Sequence, residues 1–386
     1  MTTSPSSRSS SGPLTPSHHP AGSSRAQDLE RVLSLLGPDD TAVICVDLDV
    51  LQRQLDHLRA VFGEATLHAI PIKTMPHHRM LQELVAKGFG LEAASMEEIE
   101  LALAAGATPS QLVFDSPAKT RREIERCQSD FPGMLLNANS LSEIERMPAR
   151  PSFRLGLRIN PEVTSDAPGH FSVADPGSRF GVAISNRRTI IDTCLSRPII
   201  ALHVHIGSQV SDVAAQVEGI RRIVELADEI DEARRRAGNS DRIEVIDIGG
   251  GLHADEGPVS SDNSSNLTVL AAGLDTAIPR LFERQVVTEF GQWVHTHAGW
   301  AASVVEYVAT APRPHAVLHL GADYLVRNAY GTPAPYRFDS VARGDRNRER
   351  PDSVYDLDGP LCFAGDVIAR SVVLPQLEDQ LKVRSL

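Results

Sequence analysis

Short apolar runs alternate with amphipathic stretches through the middle of the chain. The runs are rich in β-forming residues, whereas the stretches between them repeat apolar residues every three or four positions. This alternation is typical of β–α units around a parallel sheet. The predicted strands are 67–72, 89–93, 111–114, 133–136, 152–159, 199–205, 243–248 and 285–289. The predicted helices between them lie near 76–87, 96–105, 119–128, 140–146, 186–195, 211–237 and 267–283.

Eight strands in about 220 residues favour an α/β fold of the closed (β/α)₈, TIM-like type. We expect this barrel to span 65–290. A doubly wound open sheet is the alternative interpretation, because a strand number taken from one sequence is uncertain by one or two.

The alternation stops after Glu289, and strands without long helices follow. We therefore predict a second, mostly β domain at 291–386, joined by an N-terminal segment at 27–64. That segment contains a strand at 42–48 and an amphipathic helix from about 49 to 62. The other predicted strands of this domain are 300–310, 316–320, 324–329 and 353–357, and 333–351 is predicted to be a surface loop.

The N-terminal stretch 1–26 is rich in Ser, Pro and Gly and has almost no large apolar residues. Such a composition cannot bury enough surface to order itself, so we predict a disordered tail. It also lacks the apolar centre of a signal peptide, and no apolar run reaches membrane-spanning length. A cytoplasmic protein without a membrane partner is expected.

Composition narrows the class of protein further. With 41% hydrophobic and 23% charged residues, the chain resembles an ordinary globular protein. A net charge of −12 and a pI near 5.6 argue against a nucleic-acid-binding surface. The four cysteines show no CxxC or metal-ligand spacing, so we expect reduced thiols and no metal site.

Lys73 stands at the end of the first predicted barrel strand, just before Pro76. A lysine surrounded by apolar groups loses solvation, and its neutral amine can then form a Schiff base. The alternative is a lysine whose ammonium group extends from the strand end into solvent.

Polar residues also follow the other predicted strands, where active sites of such barrels are assembled. Gly249, Gly250 and Gly251 would let backbone N–H groups approach a phosphate, although a simple turn is an equal alternative. Period two places His203 and His205 on one strand face. We expect His203 to be a core residue and His205 to stack on a flat ring.

Glu289 ends the last predicted barrel strand, and a buried carboxylate there needs a positive partner. The protonated nitrogen of a pyridine ring would serve, and the pairing would make the ring a stronger electron sink. An amine, a stacking imidazole, a phosphate cradle and this carboxylate are what pyridoxal 5'-phosphate (PLP) requires. The residues therefore predict PLP as the cofactor.

Several segments together resemble the PLP enzymes of the alanine racemase fold, specifically the diaminopimelate, ornithine and arginine decarboxylase group. They occur in the family's order over nearly the whole folded chain. The segments are Ala69–Lys73, Gly88–Glu98, Gly156–Pro161, Ser178–Val182, His203–Gln209, Asp247–Gly251, Glu289–Gln292 and Gly359–Cys362.

The resemblance implies an amino-acid α-decarboxylase that works as a homodimer with shared active sites. Lys73 would be the Schiff-base lysine, and Cys362 would reach into the partner's site to assist protonation of the product carbanion. His205 would stack on the PLP ring and Glu289 would bind its nitrogen. The other implied residues are Ser208 and Gly249–Gly251 at the phosphate, with Glu92, Glu98 and Arg158 lining the site.

Departures from the family pattern affect the predicted substrate. Phe363 stands where an acidic residue usually reads a distal amine, although Asp366 is near. Phe290 and Gln292 replace a proline and an arginine, and the chain ends before the family's phosphate-binding tyrosine. We expect a substrate of specialised metabolism with a bulky or acidic distal group. The predicted substrate contacts are Arg327, Tyr330, Phe363 and Asp366.

Two other functions are compatible with this pattern. One is a racemase of the same fold, although an arginine rather than Glu289 would then be expected at the ring nitrogen. The other is a catalytically silent PLP-binding relative, which the missing tyrosine favours and the presence of Lys73, His205 and Cys362 disfavours.

Overall fold

The computed structural model describes residues 31, 32, 35, 37, 39–254, 265–310, 313–326, 336–341, 350–377 and 382–385. The chain divides into two compact units after Asp47 and after Ala298. The middle segment forms one unit, and the segments on either side form the other. The predicted tail at 1–26 lies outside the described residues.

The strands follow the chain in this order: β1 (Ala42–Val46), β2 (Leu67–Pro71), β3 (Gly90–Ala93), β4 (Leu112–Phe114), β5 (Leu135–Ala138), β6 (Arg154–Asn160), β7 (Val182–Ala183), β8 (Ile199–His203), β9 (Val245–Gly250), β10 (Gln285–Glu289), β11 (Gly299–Ala309), β12 (His315–Leu318), β13 (Phe338–Val341), β14 (Asp352–Asp358), β15 (Val367–Pro375) and β16 (Lys382–Ser385). The α-helices are α1 (Leu48–Phe62), α2 (His78–Ala86), α3 (Met96–Ala104), α4 (Arg121–Asp130), α5 (Leu141–Ile144), α6 (Arg187–Ser196), α7 (Val213–Arg236), α8 (Asn266–Ala277) and α9 (Gly291–His295).

The middle unit is a closed parallel barrel. Its strands pair in the order β2-β3-β4-β5-β6-β8-β9-β10, and β10 pairs back onto β2. The short strand β7 pairs with β6 outside this ring. The predicted (β/α)₈ barrel is confirmed, and each predicted barrel strand overlaps an observed one.

The helices that follow β3, β4 and β5 begin with the same local device. A Ser or Thr just before the helix accepts a hydrogen bond from the backbone N–H of a glutamate three residues on. This arrangement satisfies an N–H that the first helical turn leaves without a partner. The three pairs are Ser95 with Glu98, Thr120 with Glu123, and Ser140 with Glu143.

The barrel interior contains a cluster of apolar side chains from six strands. These residues are fully or almost fully buried and pack as one cluster, so the barrel is a core rather than a pore. They are Ala69, Val113, Leu135, Ala201, Val245 and Val287. We call this cluster the apolar layer.

The second unit is built around β11, which pairs with β1, β12 and β16. The sheet continues from β12 to β14 and β15, and from β16 to β13. Its core contains Val305, Leu318, Leu357 and Leu374. The unit is mostly β, as predicted.

Three sequence assignments differ from the observed structure. Residues 324–326 are not part of a strand. Strand β13 lies inside the range 333–351, which was predicted to be a loop. Its backbone pairs with β16, although its sequence contains no apolar run. Helix α1 packs against α8 and α9 and belongs to the barrel unit, not to the β unit. No helix in the described ranges is long and apolar enough to cross a lipid bilayer.

Candidate active site

A layer of acidic and imidazole side chains lies next to the apolar layer. Each of four such residues lies two positions after an apolar-layer residue, within a strand or directly after it, so strand periodicity places both on the barrel interior. One oxygen or nitrogen atom from each of these four side chains lies within 4.8 Å of the others, and all four side chains are buried. They are Asp115, His203, Asp247 and Glu289. We call them the acidic layer.

His203 lies between two of the carboxyl groups. Its Nδ1 is 3.4 Å from Asp115 Oδ2, and its Nε2 is 3.8 Å from Glu289 Oε1. Burial lowers the pKa of His203 to about 4 despite the attraction of Asp115. The imidazole is therefore neutral near pH 7, and it does not balance the charge of the acids.

The carboxyl groups of the acidic layer differ in their pKa values. Burial opposes ionisation of Asp115, but its polar neighbours His203, Glu289 and Arg158 together lower its pKa to about 2. Burial, followed by the neighbouring acids, raises the pKa of both Asp247 and Glu289 well above the ordinary range. Among these residues Asp115 therefore carries the negative charge, and the layer would bind a cation readily.

Asp247 is held in place by hydrogen bonds. Its Oδ1 accepts from the N–H of Gly249 at 3.0 Å, and its Oδ2 accepts from Asn137 Nδ2 at 3.1 Å. By contrast, both oxygens of Asp115, both ring nitrogens of His203 and Oε1 of Glu289 are buried without a hydrogen-bond partner among the described residues. Buried polar atoms of this kind point to a missing partner.

The amine of Lys73 lies 2.5 Å from Glu92 Oε2, where it donates a hydrogen bond. Lys73 belongs to a 3₁₀ turn, Ile72–Thr74, directly after β2, and Glu92 is on the neighbouring strand β3. Burial lowers the pKa of Lys73, but Glu92, Glu289 and Asp115 outweigh it, and the net pKa is raised.

Of the two interpretations of Lys73, the structure supports the second, an amine that extends from the strand end toward solvent and whose pKa is raised rather than lowered. The Lys73 side chain is 55% exposed, whereas that of Glu92 is 1% exposed. Glu92 is thus the buried member of the pair, and the amine reaches toward solvent from it. This geometry leaves Lys73 accessible to a carbonyl compound.

A second lysine, Lys119, is completely buried between the ends of β4 and β5. Its Nζ donates to the carbonyl oxygens of Ser116 and Asn137 and lies 3.2 Å from Glu143 Oε1. All its strong contacts are made within the protein, so it ties the two strand ends together and is not available for chemistry. Lys119 differs in this respect from Lys73, whose side chain is 55% exposed.

Arg158 extends from β6 toward the acidic layer, and its guanidinium lies 4.8 Å from the ring centre of Phe180. Arg179 contacts the same ring at 4.8 Å. Burial lowers the pKa of Arg158, and Asp115, Glu289 and Glu92 oppose this effect. Arg158 therefore interacts electrostatically with the acids of the barrel interior.

His205 follows the end of β8 and accepts a hydrogen bond at Nδ1 from the N–H of Gly250, at 3.2 Å. Burial and the charge of Arg158 lower its pKa well below the ordinary range. The ring is therefore neutral and held in one orientation by the backbone, which suits a stacking role.

The glycine run at the end of β9 has a packing reason of its own. A Cβ on Gly251 would lie 1.6 Å from the Gly207 carbonyl oxygen, and a Cβ on Gly250 would lie 2.0 Å from that of Glu289. Gly249 and Gly251 also have positive φ angles of 65° and 82°. These glycines are therefore required by the close approach of three strand ends. This packing reason does not depend on their predicted role in binding a phosphate.

In the β unit, Asp366 organises the loop that carries Cys362. Its Oδ1 accepts from the N–H of Ala322 at 2.5 Å, and its Oδ2 accepts from that of Leu361 at 2.7 Å. The Asp366 side chain is buried, whereas Cys362 is exposed. The prediction that Asp366 contacts substrate conflicts with this geometry, because backbone donors occupy both of its oxygens.

The structure brings together most of the barrel residues that were predicted from the sequence to line the site. Lys73, Glu92, Arg158 and Glu289 interact electrostatically, and His205 lies beside Gly250. Glu98 instead caps α3, where its Oε2 accepts from the N–H of Ala94 at 2.7 Å. Ser208 lies on the loop after β8, where its N–H donates to Phe171. Arg327 and Tyr330 lie outside the described residues.

The sequence interpretation missed three members of the acidic layer as site residues. Asp115 and Asp247 were given no role, and His203 was expected to be an ordinary core residue. The signal was present, because each lies two positions after a buried apolar residue at the carboxyl end of a strand.

These residues fit PLP. The acidic layer has unpartnered buried oxygens that a protonated pyridine nitrogen would satisfy, and Lys73 offers an accessible amine. His205 offers a neutral ring held by the backbone. The donor set therefore matches the cofactor predicted from the sequence.

Comparison with known proteins agrees with this match. Diaminopimelate decarboxylase of Pseudomonas aeruginosa is 28% identical over 341 residues, which cover 84% of this chain and 77% of that protein. The corresponding enzyme of Archaeoglobus fulgidus is 24% identical, with coverage of 90% and 82%.

Solved structures share the fold. Diaminopimelate decarboxylase from Helicobacter pylori in complex with L-lysine superposes with a TM-score of 0.78 at 21% identity, covering 92% of this chain and 87% of that one. Lysine/ornithine decarboxylase from Vibrio vulnificus in complex with cadaverine gives a TM-score of 0.77 at 20% identity, with coverage of 94% and 92%.

The family model described as pyridoxal-dependent decarboxylase, pyridoxal binding domain, matches residues 48–295. This range contains the whole barrel unit except its last residues and includes Lys73 and the acidic layer. The chain therefore belongs to the pyridoxal-dependent decarboxylases, and it is a decarboxylase that uses pyridoxal 5'-phosphate as its cofactor.

Proposed function

We propose that this decarboxylase removes the α-carboxyl group of an amino acid, or an amino-acid conjugate, whose distal group is bulky or acidic rather than a simple amine. The observation that carries the proposal is the surface around Cys362. Leu361 and Phe363, its two neighbours, are 42% and 45% exposed, and Asp366 is occupied by backbone donors. An apolar surface of this kind offers nothing to bind a distal ammonium group.

In this proposal Lys73 binds the cofactor covalently, and Glu289 faces its ring nitrogen. His205 lies against the ring face, while Ser208 and the N–H groups of Gly249–Gly251 hold the phosphate. Bound PLP supplies an electron sink for the pair of electrons left on Cα when CO₂ departs.

The remaining roles concern charge and protons. Glu92 keeps the Lys73 amine positioned through their 2.5 Å hydrogen bond, and Arg158 balances the acids of the barrel. Cys362 or the released Lys73 amine delivers the proton to Cα. Phe363 lies against the distal part of the substrate, and Arg327 and Tyr330 are further proposed substrate contacts.

We also propose that the active form is a homodimer, in which each copy contributes its Cys362 loop to the other's site. The exposed Leu361 and Cys362 support this, since apolar groups exposed together on a surface are typical of a contact with another protein chain. Sedimentation should then give a dimer, and mixing a Lys73→Ala chain with a Cys362→Ala chain should restore part of the activity. We expect the enzyme to act in the cytoplasm.

The test of substrate class uses CO₂ release. Wild-type protein with PLP is incubated with a panel of free diamino acids, acidic amino acids and amino acids conjugated through the distal group. Release from conjugates or acidic substrates above that from diaminopimelate, lysine and ornithine supports the proposal. Diaminopimelate as the best substrate would overturn it.

Two variants define the site in the same assay. Borohydride reduction should attach the cofactor to the peptide containing Lys73, and Lys73→Ala should abolish both this label and CO₂ release. Lys87→Ala is the control, since Lys87 lies after α2 and should change neither. Exchange of the Cα hydrogen with solvent deuterium, without CO₂, would instead indicate a racemase.

Phe363→Glu tests the distal contact directly. Restoring an acidic group beside Cys362 should raise activity toward diamino substrates relative to the wild type and lower it toward acidic ones. An unchanged preference would mean that another residue reads the distal group. Phe363→Leu is the matched control, because it retains an apolar side chain and should keep the wild-type preference.

A further inference from the structure

Asp115 is a buried carboxylate in the acidic layer to which neither the family resemblance nor the proposed mechanism gives a role. It is the first residue after β4, and its side chain is 6% exposed. Neither oxygen has a hydrogen-bond partner among the described residues, whereas Asp247 is held by Asn137 and Gly249. A buried charge without such partners is costly, so it calls for a function.

The geometry joins Asp115 to Glu289. Atoms of the two carboxyl groups lie within the 4.8 Å span of the layer, and His203 approaches both, at 3.4 Å and 3.8 Å. Asp115 is the ionised member of this group, whereas the pKa of Glu289 is raised. A cation that binds Glu289 therefore also meets the negative charge of Asp115.

We propose that Asp115 is a positioning residue for the ring nitrogen of PLP, and that its charge, acting through His203 and Glu289, holds this nitrogen in the protonated form. The inference rests on the proposed contact of Glu289 with that nitrogen. The negative charge of Asp115 attracts a pyridinium bound at Glu289 but has little effect on a neutral ring, so it favours the protonated state of the ring nitrogen.

The test compares two ligands that differ only at the ring nitrogen. One is PLP, and the other is its 1-deaza analogue, in which a C–H group replaces the nitrogen. Dissociation constants are measured by equilibrium dialysis with wild type, Asp115→Asn and Asp130→Asn. Asp115→Asn should raise the dissociation constant for PLP about tenfold, which corresponds to one pKa unit. The dissociation constant for the analogue should not change.

Asp130→Asn is the control, because Asp130 is an exposed residue at the end of α4. It should alter neither dissociation constant. A second measurement uses wild-type holoenzyme loaded with ¹⁵N-labelled PLP, whose ring-nitrogen chemical shift should report protonation near pH 7. This measurement does not depend on how well the Asp115 variant folds.

Several outcomes would overturn the inference. Equal weakening of both ligands in Asp115→Asn would mean a general structural role, and an unprotonated ring nitrogen in the wild type would remove its basis. A divalent metal ion found in stoichiometric amount in the holoenzyme and lost from Asp115→Asn would make the acidic layer a metal site instead. Failure of the wild type to bind PLP would be distinguishable, since it would overturn the proposed function as well.

Discussion

Lys73 and Glu92 form a hydrogen-bonded ion pair in which the carboxylate is buried and the amine is half exposed, with 2.5 Å between Nζ and Oε2. The two residues end neighbouring strands of the barrel, so strand pairing brings them together. Glu92 is the main group that raises the pKa of Lys73. The reactivity of the amine is therefore controlled from the adjacent strand.

Glu92→Gln should lower the pKa of Lys73, because it removes the largest contribution that opposes desolvation. The pH at which the amine becomes reactive should shift downward. Reductive methylation rates of individual lysines, followed by mass spectrometry between pH 7 and 11, measure this shift. Lys87 provides an internal reference in the same samples, and an unshifted Lys73 profile would contradict the assigned pairing.

Asp366→Asn should disturb the Cys362 loop, because an amide has only one oxygen to accept the two backbone bonds from Ala322 and Leu361. We expect a loss of about 2 kcal/mol in the free energy of unfolding. The rate of Cys362 modification by a thiol reagent should change, and turnover should fall while bound PLP is retained. Asp352→Asn, at an exposed position of β14, is the matched control. Unchanged Cys362 reactivity would show that the loop does not need these bonds.

Glu143→Gln should destabilise the barrel by roughly 3 kcal/mol, since it leaves the buried Lys119 ammonium without its ionic partner. Urea denaturation measures the change. Glu145→Gln, two residues along and exposed, should stay within about 0.5 kcal/mol of the wild type. The double variant Lys119→Met/Glu143→Leu should recover part of the loss, because it buries no charge.

His68 should contribute to acid sensitivity of the fold. Burial, followed by the charge of Arg59, lowers its pKa to about 4 in the folded state. The ordinary pKa of histidine is about 6.5, so the stabilisation is complete above this pH and is lost as pH falls toward 4. His68 is only 4% exposed and bonds Thr288 Oγ1 at 2.8 Å.

The measurement is the unfolding free energy of wild type and His68→Gln between pH 4 and pH 8. When the pH falls from 8 to 4, the unfolding free energy of the variant should decrease by about 3 kcal/mol less than that of the wild type. His78→Gln, at an exposed position, should follow the wild-type curve. Identical slopes for wild type and His68→Gln would contradict the prediction.

The barrel could be predicted from the sequence because its strands are short apolar runs that end in polar residues. The apolar layer and the acidic layer both follow from period two, and Lys73, His205 and Glu289 were found at strand ends for the same reason. Strand β13 was missed because its sequence has no apolar run. Its backbone hydrogen bonds to β16 form the strand, and the local sequence does not show them.

The errors at the site come from contacts that are distant in sequence. The apolar chain neighbours of Lys73 left both a neutral amine and a solvent-exposed ammonium group open, and Glu92, nineteen residues on, decides between them. Asp366 was expected to face substrate because it is acidic and near Cys362. Its oxygens instead accept hydrogen bonds from backbone N–H groups. One of these donors, Ala322, is distant in sequence, so the local sequence pattern does not show the contact.

The glycines at the end of β9 leave no space for a side chain between the backbones of β8, β9 and β10. Substitution of Gly250 or Gly251 by a larger residue should therefore require a shift of the neighbouring backbone. New substrate preferences in such a molecule should accumulate around Phe363, where the surface is open, while the Gly249–Gly251 segment stays the same across variants selected in the laboratory.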